Sequence, residues 1–261
     1  MADLWPELPY AAWVKTYETL HLWTQIVGKT RLALTPWLNH SWHVTFRVTA
    51  RGLVTPLIPN DGNDFQIEFD FIDHLLWLRT ANGTSQKIAL RPMSVAQFYA
   101  EYRQTLSALK IDVEIDPMPN EVLSAIPFDQ DTTHASYDPE YANRHWRVLL
   151  RANEVFHYFR TAFLGKASPV QFFWGSFDLA VTRFSGRHAP RHPGGIPNLS
   201  DAVTREAYSH EESSCGFWPG GGAVDYPAFY SYAYPAPDSF GAAAVKPDAA
   251  FFHKELGEFI L

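Results

Sequence analysis

Alternation between apolar and polar residues in the first half of the chain constrains the fold more than any other feature of the sequence. Over residues 65–71, Phe and Ile alternate with Gln, Glu and Asp, which is the pattern of a half-buried β-strand. A second strand over residues 75–80 is followed by Asn82-Gly83, a pair typical of two-residue hairpin turns. Similar alternation predicts strands over residues 42–49 and 111–115. Together these segments predict an antiparallel sheet.

Helix signals occur on both sides of these strands. Ser94 and Gln97 form a capping box before an amphipathic stretch, and Asp138-Pro139 starts a longer helix. Another helix, over residues 13–27, would end at Gly28. The remaining predicted elements are strands at residues 177–181, 205–210 and 228–234 and a short helix at residues 249–256. We therefore expect an α+β fold, an antiparallel sheet with helices on one side.

The length of 261 residues fits a single compact domain over residues 1–261. Placing Gly28-Lys29 over Gly165-Lys166 without gaps also places Trp37 over Trp174. This match favours an alternative organisation, a pseudo-repeat of two similar helix-plus-sheet halves. The halves would be residues 1–115 and 138–261, joined by the Pro-rich residues 116–137. Chance is the other explanation for so few identities.

Composition and charge narrow the classes of function. Apolar residues make up 46% of the chain and charged residues 19%, so the chain can bury enough side chain to fold. The net charge of −7 argues against nucleic acid as a partner, because contacts with phosphates need a basic surface. The sequence shows no signal peptide and no membrane span, and Cys215 is its only cysteine. We therefore expect a cytoplasmic protein that does not contact a membrane.

Carboxylate and imidazole groups at same-face spacing are the candidate catalytic residues. Glu206 and His210 are four residues apart, which places both on one face of either a helix or a strand. Asp131 and His134 lie in the irregular joint, and loops often carry functional groups. A carboxylate beside an imidazole can orient it as a general base. Each pair also has a structural interpretation, in which the two groups make only a local hydrogen bond.

Several histidines predict a metal site. The candidate ligands of a divalent ion, zinc or iron, are His40, His43, His134 and His210. Such an ion would polarise a substrate or activate water. His40 and His43 are three residues apart and point to opposite faces of a regular strand, so a shared site needs a bulge there. The hypothesis requires at least three of the candidate histidine and carboxylate side chains to meet in one pocket.

The candidate substrate contacts are basic and aromatic. Arg183 and Arg187 belong to a basic segment of an acidic protein, and guanidinium groups bind carboxylate or phosphate in bidentate fashion. Trp174 and Tyr208 are candidate contacts in an aromatic-lined pocket, since 15% of the residues are aromatic. The structural alternatives are a solvated loop for the arginines and a core position for Trp174.

These residues support two hypotheses about function. The first is a small-molecule enzyme that acts on an anionic or aromatic substrate by acid/base chemistry or with a divalent metal. The second is a non-catalytic protein that binds a small-molecule ligand in an aromatic-lined pocket, where polar residues only fix its orientation. The enzyme hypothesis requires the candidate histidine and carboxylate side chains to meet in one pocket, and the binding hypothesis does not.

Several long strings in the sequence occur together. They are Trp5-Pro6 with Leu8-Pro9, and the stretches 19–25, 69–74, 131–138, 173–187, 206–211 and 216–220. With this set of strings, the chain resembles a bacterial family of unknown function over essentially its whole length. The resemblance implies a single full-length domain. It supplies no activity and no site residues for transfer to this sequence.

Overall fold

The structure is a computed structural model that describes residues 4–161, 163–196, 198–222 and 224–261. Its antiparallel sheets and separate helices confirm the predicted α+β fold. Across these ranges, none of the helices has both the length and the apolar character that crossing a membrane requires. The helices are α1 (Tyr10–Leu34), α2 (Val95–Ala108), α3 (Pro139–Thr161) and α4 (Asp201–Ala207). The strands are β1 (Arg47–Val48), β2 (Gly52–Val54), β3 (Phe65–Asp70), β4 (Leu75–Thr80), β5 (Ser85–Ala89), β6 (Lys166–Ala167), β7 (Gln171–Phe173), β8 (Asp178–His188), β9 (His210–Trp218), β10 (Ala228–Tyr234), β11 (Phe251–His253) and β12 (Glu258–Ile260).

The first five strands form an antiparallel sheet in the order β1-β2-β3-β4-β5. The strands predicted from the alternating residues are present as β3 and β4, which pair with Phe65 opposite Thr80. Gly83 lies in the turn between β4 and β5 with a φ of 87°, a conformation that glycine adopts without steric cost. The hairpin signal in the sequence is thereby confirmed.

The chain before β1 is less regular than its sequence predicts. A 3-10 turn over Asn39–Ser41, in which His40 has a φ of 58°, interrupts the extended backbone, and regular pairing begins only at Arg47. Phe46 pairs with Phe172 of β7 through backbone hydrogen bonds of 2.9 and 3.0 Å. This bridge connects the segment leading into β1 with the second sheet.

The remaining strands form a seven-stranded antiparallel sheet in the order β11-β12-β10-β9-β8-β6, with β7 also paired to β8. One face of its central strands packs on α3, where the Phe229 ring meets the Phe156 ring edge-on at 6.0 Å. Arg183 lies over the ring of Phe159 on this same face. Neighbouring residues of a strand point to opposite faces, so the even-numbered residues of β8, β9 and β10 line the other face.

The helix α1 is enclosed by the rest of the protein along much of its length. Every residue from Thr19 to Arg31 is buried, including the polar ones. Lys29 Nζ donates to the carbonyl of Met118 at 2.6 Å, and Gln25 Nε2 donates to the carbonyl of Asn120 at 2.8 Å. These bonds satisfy buried polar groups of α1 and attach the helix to the segment that follows residue 115.

Two predictions in the first half of the chain are wrong. The helix α1 does not end at Gly28 but continues to Leu34. A Cβ at residue 28 would collide with the indole of Trp174, so this glycine permits close packing within the helix and is not a cap. Residues 111–115 form no strand. The Ile111 amide instead donates to a carbonyl at the end of α2, and the segment packs irregularly on the core.

Two predictions in the C-terminal third are also wrong, and one is confirmed. The residues before His210 form α4 where a strand is predicted, because the side chain of Ser200 caps this helix. Residues 249–256 belong to the β11–β12 hairpin instead of a helix, and the hairpin turns before Gly257, which has a φ of 71°. The strand predicted at residues 228–234 is present as β10.

Candidate functional site

A roofed cavity lies over the even-numbered face of the seven-stranded sheet. Its volume is about 490 Å³, and pockets for small molecules measure roughly 300–1,000 Å³. Strands β8, β9, β10 and β12 supply its floor, while α4 and the loop before α4 supply its roof. Residues 37–44 and 120–121 complete its sides. We call this space the sheet cavity.

The lining of the sheet cavity is aromatic and acidic. Its aromatic residues are Trp37, Trp42, Phe173, Trp174, Phe184, Tyr208, Trp218, Tyr230 and Tyr232. Its acidic residues are Glu121, Asp178, Glu212 and Glu258. No lysine or arginine lines it in the described part of the chain. An apolar pocket with a few convergent polar groups is the usual form of a small-molecule site.

Gly216 in β9 determines the shape of the cavity floor. A Cβ at this position would overlap the Tyr230 ring, so the glycine lets that ring lie flat across β9. The Tyr230 hydroxyl thereby reaches β8 and donates to Oδ2 of Asp178. Ser176 Oγ donates to Oδ1 of the same carboxyl at 2.5 Å. Two hydroxyl groups therefore hold Asp178 in place at the floor.

Burial alters the acidity of the carboxyl groups in the cavity. It raises the pKa of Glu212 to about 8, against the opposing effect of the Tyr232 hydroxyl, which donates to Oε1 at 3.4 Å. Burial, and then the charge of Asp178, raises the pKa of Glu121 and the pKa of Glu258 to about 7 each. Near neutral pH these carboxyl groups are at least partly protonated, so they can donate hydrogen bonds as well as accept them.

The roof is held to the side of the cavity by hydrogen bonds at its edge. Trp37 Nε1 donates to Oε2 of Glu206 at 2.8 Å, and His40 Nδ1 lies 3.0 Å from the carbonyl oxygen of Ala207. Thr204, in the same helix, lines the cavity and is only 1% exposed. Its hydroxyl has no hydrogen-bond partner among the residues that the structure describes. This leaves one buried polar group of the roof free to contact a ligand.

The predicted substrate contacts divide between the cavity and other surfaces. Trp174 and Tyr208 both line the sheet cavity. Arg183 faces α3, on the opposite side of the sheet. Arg187 points to solvent and pairs with Glu211 at 2.5 Å. The two arginines on which the prediction of an anionic substrate depended are therefore not positioned to contact a ligand in this cavity.

The four predicted catalytic residues do not share one pocket. His134 Nδ1 lies 2.7 Å from Oδ2 of Asp131, and this pair sits beside the start of α2. Glu206 lies in the last turn of the roof helix α4. His210 is the first residue of β9, and its ring packs on the ring of His188 at 4.5 Å. None of the four side chains is part of the cavity lining. The predicted pair of Asp131 and His134 is present, whereas Glu206 accepts a hydrogen bond from Trp37 and the His210 ring packs on other histidines.

The predicted zinc or iron ligands are also separated. The rings of His40 and His210 face each other with centroids 6.3 Å apart, while His43 Nδ1 accepts a hydrogen bond from the Leu38 amide. His134 belongs to the separate pair with the aspartate described above. Within the described ranges, no group of three or more His, Cys, Asp or Glu side chains is arranged to hold a metal ion. The predicted four-histidine site is therefore not assembled.

Sequence reasoning missed the acidic residues of the cavity. Asp178, Glu212 and Glu258 each occupy the polar face of a strand, and such a face is normally in contact with water. The available signal was the combination of small and acidic residues at alternate positions of neighbouring strands, such as Glu212, Ser214 and Gly216. That signal becomes specific only once α4 is known to cover this face.

The pH dependence of folding is the first testable consequence. The pKa of Glu212 is about 8 in the folded protein and 4.5 without burial. Between these values the unfolded chain has released the proton that the folded chain retains, so the free energy of unfolding falls as the pH rises. We expect urea midpoints to decrease from pH 6.5 to 8, and we expect Glu212→Gln to flatten this decrease.

Glu211→Gln is the matched control for this measurement. Glu211 is next to Glu212 on β9, but its pairing with Arg187 lowers its pKa, so it stays ionised throughout this pH window. The control variant should show the same slope as the wild type. An unchanged slope in the Glu212→Gln variant would contradict burial of a protonated carboxyl group at residue 212.

Comparison with known proteins gives one match, which covers residues 5–261, nearly the whole chain. The matching family is described as a family of unknown function, DUF5996. The chain has no match among curated proteins and none among solved structures. The match confirms the resemblance of the sequence strings to a full-length domain family of unknown function. The chain therefore belongs to the DUF5996 family.

Proposed function

We propose that this protein binds a small organic molecule in the sheet cavity, and that the molecule is not an anion. The observation that carries this proposal is a partly open cavity of about 490 Å³ lined by aromatic rings and four acidic residues, without a lysine or arginine in its described lining. A lining without these cations does not stabilise a bound carboxylate or phosphate, and any ionised carboxylate in it repels such an anion. It offers apolar contact area together with hydrogen-bonding groups that orient a ligand.

The unpaired polar groups of the cavity support a ligand site, because a poorly packed part of the core would be lined by apolar groups or by polar groups with partners. Buried polar groups are usually paired within the protein. Here the Thr204 hydroxyl has no partner, and neither the Glu121 carboxyl nor the Glu258 carboxyl has a hydrogen-bond partner among the described residues. A ligand with polar groups would satisfy these side chains. Trp174 and Tyr208, two of the predicted substrate contacts, would lie against its apolar part.

Ligand-observed NMR with 2-phenylethanol tests this proposal. This probe is neutral and has one ring and one hydroxyl group, so it matches both the aromatic and the polar lining. We expect saturation transfer to the probe and a change in the fluorescence of the tryptophans around the cavity, among them Trp42 and Trp218. Absence of both signals at millimolar probe would count against a binding function.

A cavity-filling variant tests whether 2-phenylethanol binds in the sheet cavity. Ala180 lies on the cavity floor and is 7% exposed, so the ring of Ala180→Phe has to enter the cavity. We expect this variant to lose binding of 2-phenylethanol. Ala89→Phe adds the same ring to an exposed strand position of the other sheet and should bind normally. If both variants lose the same affinity for 2-phenylethanol, the probe binds outside the sheet cavity.

A further inference from the structure

The acidic residues of the sheet cavity differ from other buried carboxyl groups of this protein. Asp70 and Asp131 are each 1% exposed, and each has a basic partner, Arg51 Nε at 2.6 Å and His134 Nδ1 at 2.7 Å respectively. Asp178 is also buried, but among the described residues its hydrogen bonds come from neutral groups, two hydroxyl groups and a backbone amide. Buried acidic groups are usually paired with cations or bound to metals.

The four acidic residues of the cavity share this lack of a cationic partner. Glu212 is 9% exposed, and within the described ranges its carboxyl has the Tyr232 hydroxyl as its side-chain hydrogen-bond partner. Asp178, Glu121 and Glu258 line the same cavity, and the charge of Asp178 contributes to the raised pKa of both glutamates. A positive charge placed in that space would interact favourably with the ionised forms of these groups. The described lining holds no lysine or arginine, and burial lowers the pKa of His40, which also lines the cavity.

The aromatic residues of the same lining favour an organic cation over a metal ion. Indole faces attract ammonium groups through their quadrupole, and Trp37, Trp42, Trp174 and Trp218 all border the cavity. The unpartnered Thr204 hydroxyl, 1% exposed in the roof, can accept a hydrogen bond from an N–H donor. The described carboxylates and imidazoles do not form a metal-binding group.

We propose that the natural ligand of the sheet cavity is an organic amine in its ammonium form, with an apolar or aromatic part. The ammonium group lies among Asp178, Glu212 and Glu258, and the apolar part lies against the tryptophans. This inference rests on the proposed function and specifies its ligand class. It also reverses the charge of the substrate expected from the arginines in the sequence.

Three probes of nearly equal size and shape test the charge preference. They are 2-phenylethylamine, 2-phenylethanol and phenylacetate, which carry a positive, a neutral and a negative group on the same ring. Affinities are measured by calorimetry or NMR titration at pH 7.5 with the full chain. We expect the amine to bind at least about tenfold more tightly than the alcohol. We expect phenylacetate to bind more weakly than either.

Two variants connect this preference with the acidic residues. The double substitution Glu212→Gln and Glu258→Gln removes two ionisable carboxyl groups from the lining and keeps the side-chain size. It should lower the affinity for the amine about tenfold and leave the affinity for the alcohol within a factor of about two. Glu211→Gln is the matched control on the same strand, since Glu211 pairs with Arg187 outside the cavity. It should change neither affinity.

The outcomes separate this inference from the proposed function. If the alcohol binds as tightly as the amine, or if the amine keeps its advantage in the double variant, the amine proposal is overturned and the binding function stands. Magnesium or calcium chloride is compared with sodium chloride at the same ionic strength. If the divalent salt displaces the amine and sodium chloride does not, the site is a metal site and the proposal fails. If none of the three probes binds, both the amine proposal and the proposed function fail.

Discussion

Replacing Gly216 by valine is expected to abolish binding of 2-phenylethanol and 2-phenylethylamine in the sheet cavity. The new Cβ would stand where the Tyr230 ring now lies, so the ring must leave the floor and enter the cavity. Asp178 then loses the hydrogen bond from the Tyr230 hydroxyl. We expect a loss of affinity of more than about tenfold and a loss of stability of about 1–3 kcal/mol, the cost of leaving a buried polar group unpaired.

The backbone should tolerate this substitution. Gly216 is in the middle of β9 without a positive φ, and valine favours strands. Tyr230→Phe is the matched control, because it removes the same hydrogen bond but leaves the ring on the floor. This control should retain binding of 2-phenylethanol within a factor of about three. Unchanged binding by the Gly216→Val variant would show that the position of the Tyr230 ring does not shape the site.

Substitution of Trp23 by alanine is expected to reduce the free energy of unfolding by about 3–5 kcal/mol. Trp23 has no exposed surface, and its ring stacks on Phe98 of α2 at 4.7 Å and on Tyr137 at 5.5 Å. Its indole N–H has no hydrogen-bond partner in the described residues, so the loss reports packing alone. Urea unfolding followed by circular dichroism measures this change.

Tyr158→Ala provides the comparison for this measurement. Tyr158 is also an aromatic residue of a long helix, but it is 71% exposed. Its replacement should alter stability by no more than about 0.5 kcal/mol. A similar loss of stability in Trp23→Ala and Tyr158→Ala would contradict the burial of Trp23 in the core. Trp23→Phe should retain part of the stacking, so its loss in free energy of unfolding should lie between the losses of the two alanine variants.

The elements that sequence predicts correctly are those with local signals. Gly83 adopts the turn conformation that glycine favours, and Ser94 accepts the capping hydrogen bond from the amide of Gln97 at the start of α2. These signals depend on neighbours a few residues away. The division into two similar halves, 1–115 and 138–261, stays a prediction.

The elements that sequence does not predict depend on distant partners. Gly28 has the position of a helix cap in the sequence, yet its role is set by Trp174, a residue far along the chain. Glu212 and Asp178 have the positions of solvent-exposed strand residues, yet α4 and its loop cover them. The sequence therefore predicts the presence of α1, α2, α3, β3, β4 and β10, but the candidate site arises from tertiary contacts that no local pattern encodes.

The enclosed position of α1 has a consequence for synthesis of the protein. This helix is synthesised before several of its partners: Trp13 packs on His145 at 5.1 Å, and Gly28 lies against Trp174. An isolated helix in water is only marginally stable. During translation α1 therefore lacks part of its final neighbours until the chain has grown past residue 174. The apolar residues that face these late partners are exposed for that time, and exposed apolar surface of this kind favours aggregation.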